Sequence, residues 1–224
     1  MNQTVGFVRS KDGTRIAYAV AGSGPGRPLL RAATITSHIQ LDQDSLVWGH
    51  FWRFLADGRT FVRYDGRGCG LSERAPKDMT LEARVADLEA VADEVDVESF
   101  DLLGHGIGAP VALEYLARHP DRVSKLILLF GFVRGPISRG LPMDSYFQIL
   151  RGGGDSTGFS YDVMLGSVLV PDGSRERQQV CRDLIRASAT AETVAALSQH
   201  GTDVDLTNRL PWWASSPTGA LSSG

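Results

Sequence analysis

The sequence predicts an α/β fold with a mostly parallel sheet, and two observations carry that prediction. First, residues 4–9 and 14–20 are rich in β-branched and aromatic residues and flank Asp12-Gly13, a pair that suits a tight hairpin turn. The chain should therefore open with an antiparallel hairpin. Second, strand-like and helix-like segments alternate after it, which indicates parallel strands joined by right-handed crossovers.

The remaining strands are predicted from short apolar runs. These runs are LLRAA (29–33), RTFVRYD (59–65), FDLLG (100–104) and VSKLILLF (123–130). The last one is almost entirely apolar, which is typical of a strand covered on both faces.

Three helices are predicted between these strands. Trp48, Phe51, Trp52 and Leu55 recur at helical spacing and should pack on the sheet. Thr80 can cap a second helix whose apolar residues recur every three or four positions, so one face should lie on the sheet. A third helix should run from Ile107 to Arg118 and stop at His119-Pro120.

Three regions follow from the change of pattern along the chain. Residues 1–131 form the predicted α/β core, residues 132–210 a helical lid or cap, and residues 211–224 an irregular tail of mostly small and polar residues. Within the lid, helices are expected near 143–150, 160–168, 174–188 and 190–199.

Composition excludes several classes of function. The 224-residue chain has a net charge of −3 with scattered basic residues, so it offers no basic stripe to nucleic acid. No leader pattern and no apolar window of membrane-spanning length is present, which predicts a cytoplasmic protein. Cys69 and Cys181 lack the spacing of a zinc site or a disulfide framework. We predict no metal and no cofactor.

The segment LLGHGIGAPVA (102–112) has the form of a strand-to-helix turn and admits three interpretations. Its outer glycines, Gly104 and Gly108, match the nucleophile elbow G-x-S-x-G, but Gly106 stands at the serine position. GHGIGA also matches a dinucleotide fingerprint, yet the next strand ends without the required acidic residue. The third interpretation is a glycine-rich turn without chemistry.

Several segments together carry a family resemblance: DGTRIAYAVAGSG (12–24), FVRYDGRGCGLSE (61–73), LLGHGIGAPVALEYLARHPDRVSKLILL (102–129) and the helical section after them. The chain resembles the α/β-hydrolase fold family from residue 4 to about 211, and in particular a bacterial hydrolase-like group sometimes found beside cyclase or transcription-regulator domains. The resemblance implies an α/β-hydrolase-type sheet and acyl-transfer chemistry by a serine, a histidine and an acidic residue. It places the serine site at Gly106 and the oxyanion hole at the backbone N–H groups of Ile107 and Ile35.

No other residue is predicted to replace the serine. His105 should pack within the turn, and the sequence can place no acidic partner beside any of the histidines. Cys69 lies in a glycine-rich loop and is a weak alternative nucleophile. The same loop, YDGRGCGLSER (64–74), is expected to fix the turn after its strand through local hydrogen bonds.

The family's acid and histidine would follow two further strands after the lid, and those last two strands are expected to be missing. The strand 123–130 would then form an apolar sheet edge, which favours self-association. The abrupt composition of PWWASSPTGALSSG (211–224) suggests an altered reading frame.

The sequence therefore predicts a protein of ester- or acyl-hydrolase ancestry that is catalytically impaired. Its partners would be a small apolar ligand or ester and a second copy of the chain, with no nucleic acid and no membrane. Two alternatives stay open: a non-catalytic module that binds a small molecule or a protein, and a degenerate fragment without function.

Overall fold

A six-stranded sheet forms the centre of the protein, with the strand order β1-β2-β4-β3-β5-β6 in the computed structural model. The structure describes residues 2–152 and 161–209. The strands are β1 (Gln3–Arg9), β2 (Arg15–Ala21), β3 (Gly26–Arg31), β4 (Arg59–Tyr64), β5 (Phe100–His105) and β6 (Val123–Leu129). The pairs β1–β2 and β2–β4 are antiparallel, and β4–β3, β3–β5 and β5–β6 are parallel. The predicted fold class and the N-terminal hairpin are confirmed.

Three helices belong to this sheet: α1 (Gly49–Leu55), α2 (Leu81–Glu94) and α3 (Ala109–Arg118). The Thr80 hydroxyl accepts a hydrogen bond from the Ala83 N–H and caps α2, as its sequence predicts. The buried face of α2 packs with β-strand residues in the largest apolar cluster, which includes Val85, Leu88, Leu30, Val62 and Leu102. On the other side of the sheet, Trp52 of α1 packs with Leu29, Phe61 and Leu103.

The four strands β3 to β6 run parallel, so their carboxyl ends lie at one edge of the sheet. The segments after these strands therefore meet at that edge, which is the usual site of ligands in open α/β sheets. In the described ranges, four further helices follow β6: α4 (Asp144–Gly152), α5 (Tyr161–Leu169), α6 (Arg175–Ser188) and α7 (Ala191–Thr202). These bounds lie within three residues of the predicted ones.

The helices after β6 pack over this edge through their own apolar cluster, here called the lid cluster. Its buried members from the lid are Phe147, Leu150, Leu165, Cys181, Ile185, Ala189, Val194, Ala195 and Leu197, and from the core Val47 and Cys69. Ile35 and Ile107 pack against it. The proposed boundary near residue 132 falls between β6 and these helices, and the predicted tail 211–224 lies outside the described residues.

β6 forms one edge of the sheet and is not covered on both faces, contrary to its almost continuous apolar pattern. The exposed fractions of Ile127 and Leu128 are both 37%, and that of Phe130, just after the strand, is 88%. Among the described residues β6 pairs with β5 alone. The edge position among the described residues agrees with the expectation drawn from the family resemblance, whereas the composition of the strand alone indicated burial on both faces.

Candidate active site

The turn after β5 has the backbone of a strand-to-helix elbow. Residues Gly106–Gly108 form one turn of 3-10 helix between β5 and α3, and Gly106 has a φ of +53°. This left-handed conformation favours glycine, although non-glycine residues adopt it at strained functional sites. A Cβ atom at Gly106 would lie 3.8 Å from the Thr34 hydroxyl oxygen, and apart from its chain neighbours no other atom of residues 2–152 and 161–209 lies within 4 Å. The position therefore has space for a side chain.

The two outer glycines of this turn are required by close contacts. A Cβ at Gly104 would lie 2.8 Å from the Ala109 Cα, and one at Gly108 would lie 2.9 Å from the carbonyl oxygen of Ala33. Cβ atoms do not approach neighbours this closely without displacement of the backbone. Gly104 and Gly108 thus hold β5, α3 and the segment after β3 together, whereas Gly106 has no such steric role.

Ile107 and Ile35, whose N–H groups the resemblance assigns to an oxyanion hole, both lie under the lid. Their side chains pack against the lid cluster. A Cβ at Gly201 of α7 would lie 2.9 Å from the Ile107 Cβ, so glycine lets the lid helix approach the elbow closely. The Ile107 carbonyl accepts a 2.7 Å hydrogen bond from the Arg84 guanidinium, which fixes the peptide from below. The oxyanion role of the two N–H groups stays a prediction.

His105 packs within the turn, as predicted. Its ring makes edge contacts with Trp48 and Phe130, with centroid separations of 6.4 and 6.0 Å. Burial, with a smaller contribution from the charge of Arg31, lowers the pKa of His105 to about 4. The imidazole is therefore neutral near pH 7, and its ring contacts are aromatic rather than with a carboxylate.

The structure gives His119 an acidic partner that the sequence could not place. Its Nε2 lies 2.8 Å from Glu89 Oε1, and its ring packs on Tyr115. Among residues 2–152 and 161–209 this is the one hydrogen-bonded histidine–carboxylate pair. It lies beyond the far end of α3, which has 10 residues and spans about 15 Å, so it cannot reach the elbow. The partner is 30 residues away in sequence, beyond the reach of a local pattern.

The turn after β4 uses its polar groups for structure. The two carboxylate oxygens of Asp65 accept hydrogen bonds from the N–H groups of Ile39 and Leu71 at 2.9 and 2.8 Å. Ser72 donates to the Asp65 carbonyl and accepts from the Ala17 N–H. Burial raises the pKa of Asp65 to about 7, against the effect of these backbone donors. The contacts agree with the prediction that this loop fixes its own turn.

Arg67, in the same turn, is held in a buried ion pair. Its Nε and Nη2 donate to the two carboxylate oxygens of Asp87 on α2, at 2.8 and 2.6 Å. Nη1 reaches Asp12 in the hairpin turn and the Asp78 carbonyl. The arginine thus joins the hairpin, the turn after β4 and α2, and is not free to bind an anion.

Cys69 is inaccessible and protonated. Its side chain is fully buried in the lid cluster, and burial raises the pKa of the thiol to about 12. Since the thiolate is the nucleophilic form, this environment argues against the weak alternative of a cysteine nucleophile.

A cleft lies between the segment after β3 and the lid. It has room for about one water-sized particle, and its walls differ in character. Thr36, His38 and Asp42 supply polar groups from the core, and Leu169, Cys181 and Ile185 supply an apolar wall from the lid. The cleft is therefore far smaller than the sites of drug-sized ligands, which enclose about 300–1,000 Å³.

Two residues near the elbow have no signal in the sequence. Thr34 faces the open space at Gly106, and Arg84, on the buried face of α2, bonds to the elbow from below. An arginine within an apolar helix pattern gives no sign of what it contacts.

In the described part of the chain no helix is both long and apolar enough to cross a membrane.

The sequence of this chain is similar to a known protein family and to several characterised proteins. The family model for the alpha/beta hydrolase fold matches residues 41–191. N-formylmaleamate deformylase of Pseudomonas putida is 34% identical over 138 residues, which cover 59% of this chain and 47% of that protein. Pyrrolizixenacetamide deacetylase of Xenorhabdus hominickii is 28% identical over 137 residues, 61% of this chain and 48% of that protein. The chain spans about half the length of these relatives.

Solved structures show the same fold at low identity. An esterase from Exiguobacterium antarcticum superposes with a TM-score of 0.72 at 22% identity, covering 92% of this chain and 76% of that one. A bromoperoxidase from Bacillus anthracis gives a TM-score of 0.74 at 14% identity, covering 92% of this chain and 77% of that one. These likenesses concern the fold alone.

Proposed function

Because the chain belongs to the α/β-hydrolase fold family, we propose that it is a hydrolase-fold protein impaired in serine-based hydrolysis, with ester or acyl-type hydrolase ancestry. Relatives include an amide-cleaving deformylase and a deacetylase, by their names. The observation that supports the proposal is Gly106, which has the left-handed backbone and open space of an elbow residue but no side chain to attack a carbonyl. Cytoplasmic residence is part of the same proposal.

The absence of a nucleophile is not the sole impairment in this proposal. His105, the histidine next to Gly106 in the chain, makes aromatic contacts, and the paired histidine His119 lies beyond the far end of α3. Loss of a triad serine or histidine alone typically costs on the order of a million-fold in rate, and such losses are not additive. Neither of these two histidines is placed to take the proton of a serine at Gly106.

The test compares the unaltered chain with Gly106→Ser and Gly140→Ser. Gly140 is the matched control because its φ is +76°, a Cβ there would meet nothing within 4 Å, and it lies in the segment between β6 and the lid helices. We expect no labelling of any of the three by a fluorophosphonate, and turnover of 4-nitrophenyl acetate at the buffer rate. Stoichiometric labelling of the unaltered chain would refute the impairment. A kcat of about 1 s⁻¹ or more for Gly106→Ser, the lower range of ordinary enzymes, would refute the second impairment, the lack of a base.

A binding role is the second candidate, and the cleft between the segment after β3 and the lid favours it. The cleft offers both polar and apolar contacts, but it has room for about one water-sized particle, so a small apolar ester would enter only as lid side chains move aside. Ethyl butyrate should raise the Tm of the unaltered chain, since a ligand that binds the folded state alone stabilises it.

Leu184→Trp would fill this cleft and should abolish the Tm rise. Val168→Trp, on a lid side chain that is 72% exposed, is the control and should preserve it. An equal response of both variants would contradict binding in this cleft.

Self-association through β6 stays a prediction, which the exposed apolar side chains of that edge support. Lys125 is the one charged residue in β6, so pairing with a second copy brings few like charges together. Light scattering after size-exclusion chromatography should show a concentration-dependent dimer, reduced in Ile127→Lys. A monomer at all concentrations would end the hypothesis.

A further inference from the structure

A small closed space lies below the elbow, between β4, α2, α3 and α7. Its walls are formed by Ala33, Thr34, Tyr64, Gly66, Arg67, Arg84, Asp87, Val111 and Leu197. The space suffices for about one water-sized particle. We call it the Arg84 cavity. Two guanidinium groups and one carboxylate line it, so its walls carry one uncompensated positive charge.

The uncompensated charge belongs to Arg84. Asp87 gives one carboxylate oxygen to Arg67 Nε and the other to Arg67 Nη2. Asp12, the second carboxylate on Arg67, has a side chain that is 40% exposed and belongs to the hairpin turn rather than to the cavity wall. Neither acid forms an ion pair with Arg84 within 4 Å, although the charge of Asp87 acts on Arg84 at longer range.

Arg84 has only neutral bonding for a buried cation. Its side chain is 6% exposed, and Nη2 donates to the carbonyl oxygen of Ile107. Nη1 is buried and has no hydrogen-bond acceptor among the described residues. A buried charged donor without an acceptor is costly to leave unsatisfied, and arginine keeps its charge in proteins. A water molecule could satisfy the N–H group, but it would not balance the charge.

We propose that the Arg84 cavity binds one monovalent anion of halide size, held by the Arg84 guanidinium. Chloride or bromide occupies roughly the space of a water molecule, whereas phosphate, sulfate and carboxylate ligands exceed it. Thr34 and Tyr64 also line the cavity.

The anion site would adjoin the elbow. Thr34 lines the cavity and also lies 3.8 Å from the Cβ position of Gly106, and Arg84 holds the carbonyl of Ile107. The anion would thus secure α2 against the elbow peptide. This inference goes beyond the proposed function, because it needs neither an acyl ligand nor turnover, and it can hold or fail independently of both.

The test measures Tm in a bromide titration, with sodium gluconate replaced by sodium bromide at constant ionic strength. Gluconate is too large for the cavity. Above Kd, each tenfold increase in bromide should raise the Tm of the unaltered chain by roughly 3 to 6 °C. Arg84→Gln should lose this response. Arg182→Gln is the matched control, because this half-buried lid arginine bonds to Gln179 and is remote from the cavity wall, and it should keep the response.

A bromide response that is the same in the unaltered chain and in Arg84→Gln would overturn the proposal. If Arg84→Gln does not fold, a crystal of the unaltered chain grown in bromide tests directly whether the Arg84 cavity holds the anion. An anomalous scattering peak within hydrogen-bond distance of Arg84 would support the site. A cavity without such a peak, at a bromide concentration that saturates the Tm change, would overturn it.

Discussion

Two glycine-containing turns lie at the same edge of the sheet, and they differ in what their glycines do. In the turn after β4, a Cβ at Gly70 would lie 2.1 Å from the Asp65 carboxylate, which is itself held by two backbone N–H groups. In the elbow after β5, a Cβ at Gly106 would meet only the Thr34 hydroxyl at 3.8 Å. Both glycines have a φ near +50°.

This difference shows that packing requires the glycine in the turn after β4 but not the glycine at the centre of the elbow. Packing requires glycine at position 70, since no side chain fits between the turn and its aspartate. At position 106 packing leaves room, so glycine there removes a side chain without being needed by the surrounding structure. Substitutions in the two turns, and in the groups that support them, can test this contrast.

The largest effect is expected from the buried ion pair below the turn after β4. Arg67→Met leaves Asp87 buried without its partner, which should reduce the free energy of unfolding by about 3 to 5 kcal/mol. Urea denaturation measures the change. The control Arg53→Met removes an exposed arginine paired with Asp44 and should cost about 0.5 kcal/mol or less. Equal losses would show that the turn does not depend on its buried charges.

The most direct test makes the same substitution in both turns. Gly106→Ala should cost about 1 to 2 kcal/mol, the price of a left-handed conformation for a non-glycine residue. Gly70→Ala adds to that a clash with Asp65, and overpacking adds about 1 to 3 kcal/mol. Because φ is similar at both positions, the difference in unfolding free energy isolates the clash. If Gly106→Ala lowers the free energy of unfolding as much as Gly70→Ala does, the elbow has no room for a Cβ atom at position 106.

The smallest effect concerns pH. A neutral, buried His105 contributes stability that is present above pH 6.5 and is lost as the pH falls toward its pKa of about 4, since the unfolded chain binds a proton more readily. The raised pKa of Asp65 acts in the opposite sense, and comparison with His105→Phe cancels it. The unfolding free energy of the unaltered chain relative to His105→Phe should rise by about 1 kcal/mol from pH 4 to pH 6.5. If this difference in unfolding free energy does not change with pH, His105 is exposed to solvent and its pKa is not lowered by burial.

Much of the fold could be predicted because its signals are local. The Asp12-Gly13 turn, the Thr80 cap and the stop at His119-Pro120 depend on residues adjacent to them in the chain, and each ends or begins an element as predicted. The elbow was also recognisable, since Gly104 and Gly108 lie at fixed spacing between a strand and a helix. Its central glycine is visible in the sequence itself.

Contacts between distant residues could not be predicted. The pairing of His119 with Glu89 joins positions 30 residues apart, and the bond from Arg84 to Ile107 joins positions 23 residues apart. The exposure of β6 depends on what lies beside it in the sheet, although its apolar pattern indicates burial. Each of these depends on the packing of several elements, which no local pattern records.

The sequence by itself determined the order of strands and helices, the hairpin and the missing side chain at the elbow, because backbone preferences and hydrophobic periodicity act over a few residues. The tertiary structure alone decided that Gly106 has room where Gly70 has none, and that Cys69 is too deeply buried to ionise near neutral pH. It also decided that Arg84 Nη1 has no hydrogen-bond acceptor in the described part of the chain. Space and electrostatic environment arise only where distant segments pack together.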